Sequence, residues 1–497
     1  MKSHLVWLFF YKCVNSNENN PIMKTTILTA LLIVYSYFSF AQAHNVSAGY
    51  QPPNDPLVVE NLEAWQDLKF GLFMHWGTYS QWGIVESWSL CPEDEGWTQR
   101  RAEHGKTYYE YVKNYENLQK TFNPTDFNPQ KWADAAKAAG MKYVVFTTKH
   151  HDGFAMFDTK ESDYKITSPN TPFSEHPKAD VTKEIFRTFR NEGFKIGAYF
   201  SKPDWHTEYY WWPYFPPKDR NVNYDPVKYP ERWEKYKQFT YNQINELTSN
   251  YGRVDILWLD GGWVRPFHTI DQSVEWQRTI KVEQDIDMDR IGAMARRNQP
   301  GIIVVDRTVP GNWENYVTPE QAVPEHPLDI PWESCITMGN SFSYVPGDDY
   351  KPAKKIVETL VKIISRGGNY LLNIAPGSNG DFDQAAYDRL RDLSAWIDVN
   401  GSAVFATRAV APYHEGDYYY TRSKDGKVLN VFHLAEGNAY TAPATFAFTV
   451  PADFQVKEVK VLGHKGKIRW SKNGDKLSVQ NPNAVLNYAA VIQLERR

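Results

Sequence analysis

Near-continuous apolar runs punctuate the first four fifths of this chain. Residues 70–74, 143–147, 196–200, 254–259, 302–305 and 370–374 lack the apolar–polar alternation of a half-exposed strand, and they predict strands covered on both faces. Between them, residues 129–139, 178–192, 230–250 and 353–365 carry the spacing of amphipathic helices. Strand followed by helix, repeated, predicts a parallel α/β sheet. No Gly-rich phosphate loop follows the first strand, so a closed TIM-like (β/α)8 barrel is favoured over an open doubly wound sheet, with six of its strands legible.

The pattern changes after a helix near residues 383–399 and the turn Asn400-Gly401. Short alternating runs at 418–422, 428–433, 445–450, 456–462 and 484–494, with the turn Ser423-Lys424-Asp425-Gly426, predict a small antiparallel β-sandwich. It is either a lectin-like module or a brace for the barrel, the brace being favoured because no exposed aromatic cluster stands out in it. At the other end, Lys24 follows Met23, an apolar stretch covers 27–40, and Ala41-Gln42-Ala43 closes it, the layout of a secretory signal. The first 22 residues fit no part of that layout, which points to Met23 as the start. The expected division is 1–43 signal region, 44–405 barrel and 406–497 sandwich, in an exported protein, periplasmic or extracellular. No stretch reaches the roughly 20 apolar residues of a membrane span. Cleavage would remove Cys13 and leave Cys91 and Cys335, whose spacing does not say whether they pair.

Composition narrows the chemistry. Hydrophobic residues at 42% and charged residues at 23% are an ordinary globular balance. A net charge of -4 offers no basic stripe and speaks against a nucleic-acid partner. The 18 Trp, 31 Tyr and 26 Phe supply either a large core or platforms for sugar rings.

In a barrel the chemistry gathers at the carboxyl ends of the strands. Those positions hold His75, His150-His151-Asp152, Tyr199, Asp260 and Arg307. A lone strand-end Asp is commonly a helix cap, but polar groups on five strands indicate a site. A metal hydrolase is disfavoured: His75 is followed by Trp76-Gly77 rather than a second ligand, and His150 and His151 would face opposite ways if the strand persists. No serine elbow, dinucleotide fingerprint or Walker motif is present, and no metal or other cofactor is expected. Paired carboxylates with indoles suit glycoside hydrolysis, in which a retaining enzyme sets its two carboxyl groups about 5 Å apart. Asp260 suits the attacking role, with Gly261 and Gly262 allowing a ligand close approach.

Phe73-Met74-His75-Trp76-Gly77, Lys149-His150-His151-Asp152-Gly153-Phe154, Leu257-Trp258-Leu259-Asp260-Gly261, Trp332-Glu333-Ser334-Cys335 and Asn369-Tyr370-Leu371-Leu372-Asn373-Ile374 resemble signature stretches of the retaining α-L-fucosidases, glycoside hydrolase family 29. The resemblance implies an exo-acting hydrolase of terminal fucose on oligosaccharides or glycoconjugates, with Asp260 as nucleophile. It further implies substrate binding by His75, Glu86, Trp88, His150, His151, Tyr199, Arg307 and Trp332. For the acid/base the candidates are Glu314, Glu320, Glu325 and Glu333. Glu320, on a proline-rich loop able to cover the cleft, is preferred, with Glu333 as the alternative. Trp88, Trp258, Trp263 or Trp332 would form an apolar wall for the sugar's methyl group. The insertion 205–224 is either a platform for the rest of the glycan or a loop packed on the rim. Another retaining glycosidase, a metal-dependent hydrolase and a non-catalytic glycan-binding barrel are the rival functions.

Overall fold

Seven parallel strands form the barrel wall: β1 Phe70–Met74, β2 Tyr143–Lys149, β3 Lys195–Ser201, β4 Ile256–Asp260, β5 Ile303–Asp306, β6 Glu333–Thr337 and β7 Asn369–Asn373. They lie in the order β5-β4-β3-β2-β1-β7-β6. The computed structural model describes residues 49–98, 100–482 and 487–497. The signal region, Cys13 and part of the expected 484–494 strand therefore fall outside the described residues.

The unbroken apolar runs have a simple cause, because alternate residues serve two different cores. Phe73, Val145, Tyr199, Ile256, Trp258, Val305, Cys335 and Leu371 fill the barrel interior. Leu72, Val144, Phe146, Ala198, Leu257, Val304 and Leu372 face the other way and join the larger core under the helices. Those helices are α1 Pro56–Leu68 ahead of β1, α2 Pro129–Ala138, α3 Val181–Asn191, α4 Pro230–Asn250, α5 Met288–Asn298, α6 Ala353–Ser365 and α7 Gln384–Val404. Side chains placed just before them fix their starts: Asp55 accepts from the Leu57 amide at 3.0 Å, Asn128 from Gln130 at 3.2 Å and Asp180 from Lys183 at 3.1 Å.

Where an eighth strand would stand, residues 313–321 bridge β5 to β6 irregularly. The chain first bonds back to β5, through Asn315 N to Val304 O at 2.9 Å and Asp306 N to Trp313 O at 2.8 Å. It then runs beside β6, with Glu333 N donating to Val317 O at 2.9 Å, Cys335 N to Pro319 O at 3.1 Å and Gln321 N to Cys335 O at 2.9 Å. Pro319 has no N–H, so this segment accepts at that point and cannot continue a regular ladder.

The C-terminal part is two antiparallel sheets, one of five strands ordered β12-β15-β10-β9-β8 and one of three ordered β11-β14-β13. Their ranges are β8 Thr407–Glu415, β9 Tyr418–Ser423, β10 Val428–His433, β11 Thr445–Thr449, β12 Val456–Val461, β13 Trp470–Asn473, β14 Lys476–Gln480 and β15 Ala490–Arg496. Leu429, Val431, Phe446, Phe448, Leu477, Val479, Ile492 and Leu494 fill the space between the sheets. Trp396 of α7 donates to Ala489 O at 3.3 Å and Lys354 of α6 to Ala435 O at 2.7 Å, so the sandwich is tied to the barrel helices. Cys91 and Cys335 are free thiols, both buried. Among the described residues no helix is long and apolar enough to cross a membrane.

Candidate active site

Asp260 is the last residue of β4, paired in register with Ser201 at the end of β3. Its Oδ2 accepts from the Tyr199 hydroxyl at 2.8 Å, and its Oδ1 accepts from Arg307 Nη1 at 3.0 Å. Arg307, just past β5, donates through Nε to Thr318 Oγ1 at 3.1 Å and through Nη2 to Glu320. One guanidinium thus holds two carboxylates. Burial alone would raise the Asp260 carboxyl, but the Arg307 charge, His151 and the Tyr199 hydrogen bond outweigh it and hold the group well below the usual carboxylate range.

The two glycines after Asp260 are demanded by the protein's own packing. Gly261 has φ +89°, and a Cβ there would lie 2.2 Å from Pro203 Cδ. A Cβ on Gly262 would lie 2.0 Å from Thr308 Oγ1 and 3.0 Å from Arg307 O. The glycines let the loops after β3, β4 and β5 close on one another, which brings Arg307 to Asp260.

Three histidines converge on the same spot. His75, after β1, bonds through Nδ1 to Asn373 Oδ1 at 2.8 Å, while Asn373 Nδ2 donates to Phe342 O at 2.7 Å. That orientation makes Nδ1 the donor and leaves Nε2 as an acceptor. The same logic holds at His151. Ser201 donates to Pro203 O and receives the His151 Nδ1 proton at 2.7 Å, so Nε2 is a buried acceptor without a partner among the described residues, 3.8 Å from Asp260 Oδ2. Burial pushes His75 down to about 4 and His151 down to about 3, and places His150 well below its usual value. At neutral pH these are uncharged rings, and His75 and His151 present lone pairs, a match for sugar hydroxyl donors. His150 and His151 both face the site: β2 ends at Lys149, so the condition for opposed faces, a strand that persists, is not met; their rings lie 4.1 Å apart, and His150 Nδ1 contacts Ser87 Oγ.

Glu86 is buried, its Oε1 accepting from the Ser343 amide at 2.6 Å, and burial pushes its carboxyl up to about 7. Trp88 stands half-buried at the mouth, edge-on to His151 at 5.0 Å, with Trp205 at 5.5 Å and Trp263 at 5.7 Å. The Arg220 guanidinium lies 5.2 Å from the Trp88 ring and 5.4 Å from the Trp263 ring, and Arg220 is ion-paired with Glu93 and Asp94. The insertion at 205–224 is thus mainly a rim loop: Tyr210 is buried, donating to Gln284 Oε1 at 2.7 Å, and Trp211 stacks on Trp205. From it Trp205 and Arg220 pack against Trp88 at the mouth. Sequence reasoning missed Asn373, Ser201, Thr318 and Arg220. The first two end β7 and β3, so the strand-end rule applied to every strand would have found them.

Two expected site residues lie elsewhere. Trp332 precedes β6 and packs outward in the large core, its Nε1 donating to Arg366 O at 3.3 Å, so it takes no part in the sugar wall. Glu333, next along the strand, faces inward but deep in the barrel with no exposed surface, accepting from Tyr143, Trp258 and Tyr316. A group sealed below the mouth cannot hand a proton to a leaving oxygen, which removes it as the alternative acid/base. Trp258, its partner, is likewise interior. Of the other glutamates, Glu314 accepts from the Thr308 amide at 2.9 Å beneath the loop, and Glu320 alone among the four joins Arg307 at the mouth. His150, His151 and Asp260 bring ligand atoms within 4.8 Å of one another. A metal ion held by them would sit beside the Arg307 cation already bonded to Asp260, an electrostatic conflict that suits this set better to hydroxyls.

Residues 37–402 match the family model described as Alpha-L-fucosidase. The chain is 28% identical to the plasma alpha-L-fucosidase of Homo sapiens over 448 residues, 86% of this chain and 87% of that one. Alpha-L-fucosidase isoenzyme 1 from Paenibacillus thiaminolyticus is similar in structure with TM-score 0.70 and 29% identity, covering 89% of this chain and 100% of that one. A Bacteroides thetaiotaomicron alpha-L-fucosidase trapped as a covalent intermediate with 2-fluoro-fucosyl fluoride shares the fold, with TM-score 0.69 and 23% identity over 91% of this chain and 98% of that one. With the family model spanning most of its length, and histidines and carboxylates of several strands meeting at one barrel mouth, the chain belongs to the α-L-fucosidase family.

Proposed function

We propose that this protein is an exo-acting α-L-fucosidase that releases terminal fucose from glycans with retention at the anomeric carbon. The carrying observation is the pair of carboxylates, Asp260 and Glu320, on the two ends of the Arg307 guanidinium. Asp260, kept ionised on a rigid strand tip, attacks C1, and the leaving oxygen takes a proton from Glu320. In the second step water, giving a proton to Glu320, attacks C1 and displaces Asp260 as the free carboxylate. In the resting site Glu320 is engaged by Arg307, so the first step requires it to part from the guanidinium and carry a proton toward the leaving group. The uncharged His75 and His151 accept from sugar hydroxyls, Glu86 and His150 complete the polar cradle, and Trp88 with Trp263 forms the apolar wall.

The layout at 23–43 supports an exported enzyme, and the buried His75, Glu86, His150 and His151 gathered around Asp260 support recognition of a single terminal sugar. A proton NMR time course on an aryl α-L-fucoside tests the mechanism. The first fucose formed is the α anomer, and β-fucose as first product would replace retention with direct displacement by water.

A further inference from the structure

We infer that Glu333, sealed inside the barrel, is a positioning residue for the nucleophile: it fixes the indole of Trp258, on which both side chains that donate to Asp260 rest. The inference builds on Asp260 being the nucleophile. A carboxyl group in a core is costly unless its oxygens are bonded, and apolar substitutes often serve the fold as well, so an interior glutamate asks for a role. Glu333 accepts from Tyr143 at 2.5 Å, from Trp258 Nε1 at 3.2 Å and from Tyr316 at 3.2 Å. The two tyrosines belong to the barrel interior with Trp258. Trp258 sits on β4 two residues before Asp260, on the same inward face.

Its ring is the floor of the site. Tyr199 stacks on it with centroids 5.3 Å apart and planes 23° from parallel, and the Arg307 guanidinium carbon lies 5.1 Å from its centroid. Phe73 meets the indole edge-on at 5.3 Å, leaving the ring one polar handle, its Nε1. Tyr199 and Arg307 are the side-chain donors to Asp260, at 2.8 and 3.0 Å, beside the Gly261 amide. A rotation of the indole about its side-chain bonds would shift both at once, and the hydrogen bond to Glu333 is what opposes that rotation.

The test is steady-state kinetics of the full-length enzyme on an aryl fucoside. Trp258→Phe keeps an aromatic floor but removes the handle. Its kcat falls about 10- to 100-fold, as expected for a misplaced reacting group, with KM within about threefold. Glu333→Ala falls comparably, equally for good and poor leaving groups and without rescue by azide, and Glu333→Gln, which keeps an acceptor oxygen, recovers most of that loss. The double variant Glu333→Ala/Trp258→Phe is no slower than the slower single, because both cut one link. Losses that multiply, or a folded Trp258→Phe enzyme with wild-type kcat, overturn the positioning role. The Trp258 variant decides alone if Glu333→Ala does not fold. Azide rescue of Glu333→Ala would overturn it too, by making Glu333 the acid/base. Asp260→Asn, run alongside, separates the two failures: an active Asp260→Asn removes the nucleophile assignment, whereas an inactive one beside an unaffected Trp258→Phe removes only the role given to Glu333.

Discussion

Glu320 and Glu333 stand on neighbouring pieces of one wall, joined where Gln321 N donates to Cys335 O at 2.9 Å, yet their surroundings are opposite. The Glu320 side chain is 20% exposed and engages a cation at the mouth, whereas Glu333 is 0% exposed and bonded by three neutral donors. The difference teaches that depth in the barrel, more than residue type, divides reacting groups from supporting ones. A proton donor must reach the substrate and exchange with water; a support must do neither.

The largest way to sharpen that contrast is to remove the mouth carboxylate. Glu320→Ala lowers turnover of natural glycans about 10²- to 10⁴-fold, spares aryl fucosides with good leaving groups, regains rate with azide, and leaves thermal stability nearly unchanged. If Glu320→Ala handles glycans at the wild-type rate, the mouth carboxylate is not the proton donor and the contrast collapses.

The interior carboxylate has a signature in stability instead. Burial pushes Glu333 up to about 7 from the ordinary 4.5, against the hydrogen bonds of Tyr143, Trp258 and Tyr316. The folded protein therefore holds a proton that the unfolded chain has released. This contribution is fully present below about 4.5 and is lost as pH rises through about 7. Glu333→Gln removes it, so urea unfolding between those two pH values shows a dependence flatter by about 3 kcal/mol in total. An unaltered slope would mean that Glu333 does not titrate in this window.

Much of this is legible in the sequence, for physical reasons. Two-sided burial makes β1 to β5 and β7 stand out as apolar runs, and strand ends locate Asp260, His75 and Arg307. Helices α4 and α6 have the bounds expected of them, since Pro230 opens the one and Pro352 stands just before the other. The wall between β5 and β6 is harder. The segment carrying Glu320 has no period because its bonds alternate between two strands and a turn, so it reads as a loop although it is pinned to Cys335. Parity decides Trp332 and Glu333, and Pro331-Trp332-Glu333 gives no sign of which neighbour faces inward. The orientation expected of the histidine pair turned on one residue of strand length. In the sandwich, β13 is wholly exposed and shows no alternation, whereas β14 alternates with Leu477 and Val479 inward and is legible, as is the hairpin signal Asn473-Gly474.

The most direct measurement is to trap the intermediate with 2-fluoro-fucosyl fluoride and map the modified peptide by mass spectrometry. One 2-fluorofucosyl group on Asp260, absent from Asp260→Asn, is the predicted result. Label on Glu320 or Glu333 with Asp260 unmodified would contradict the account.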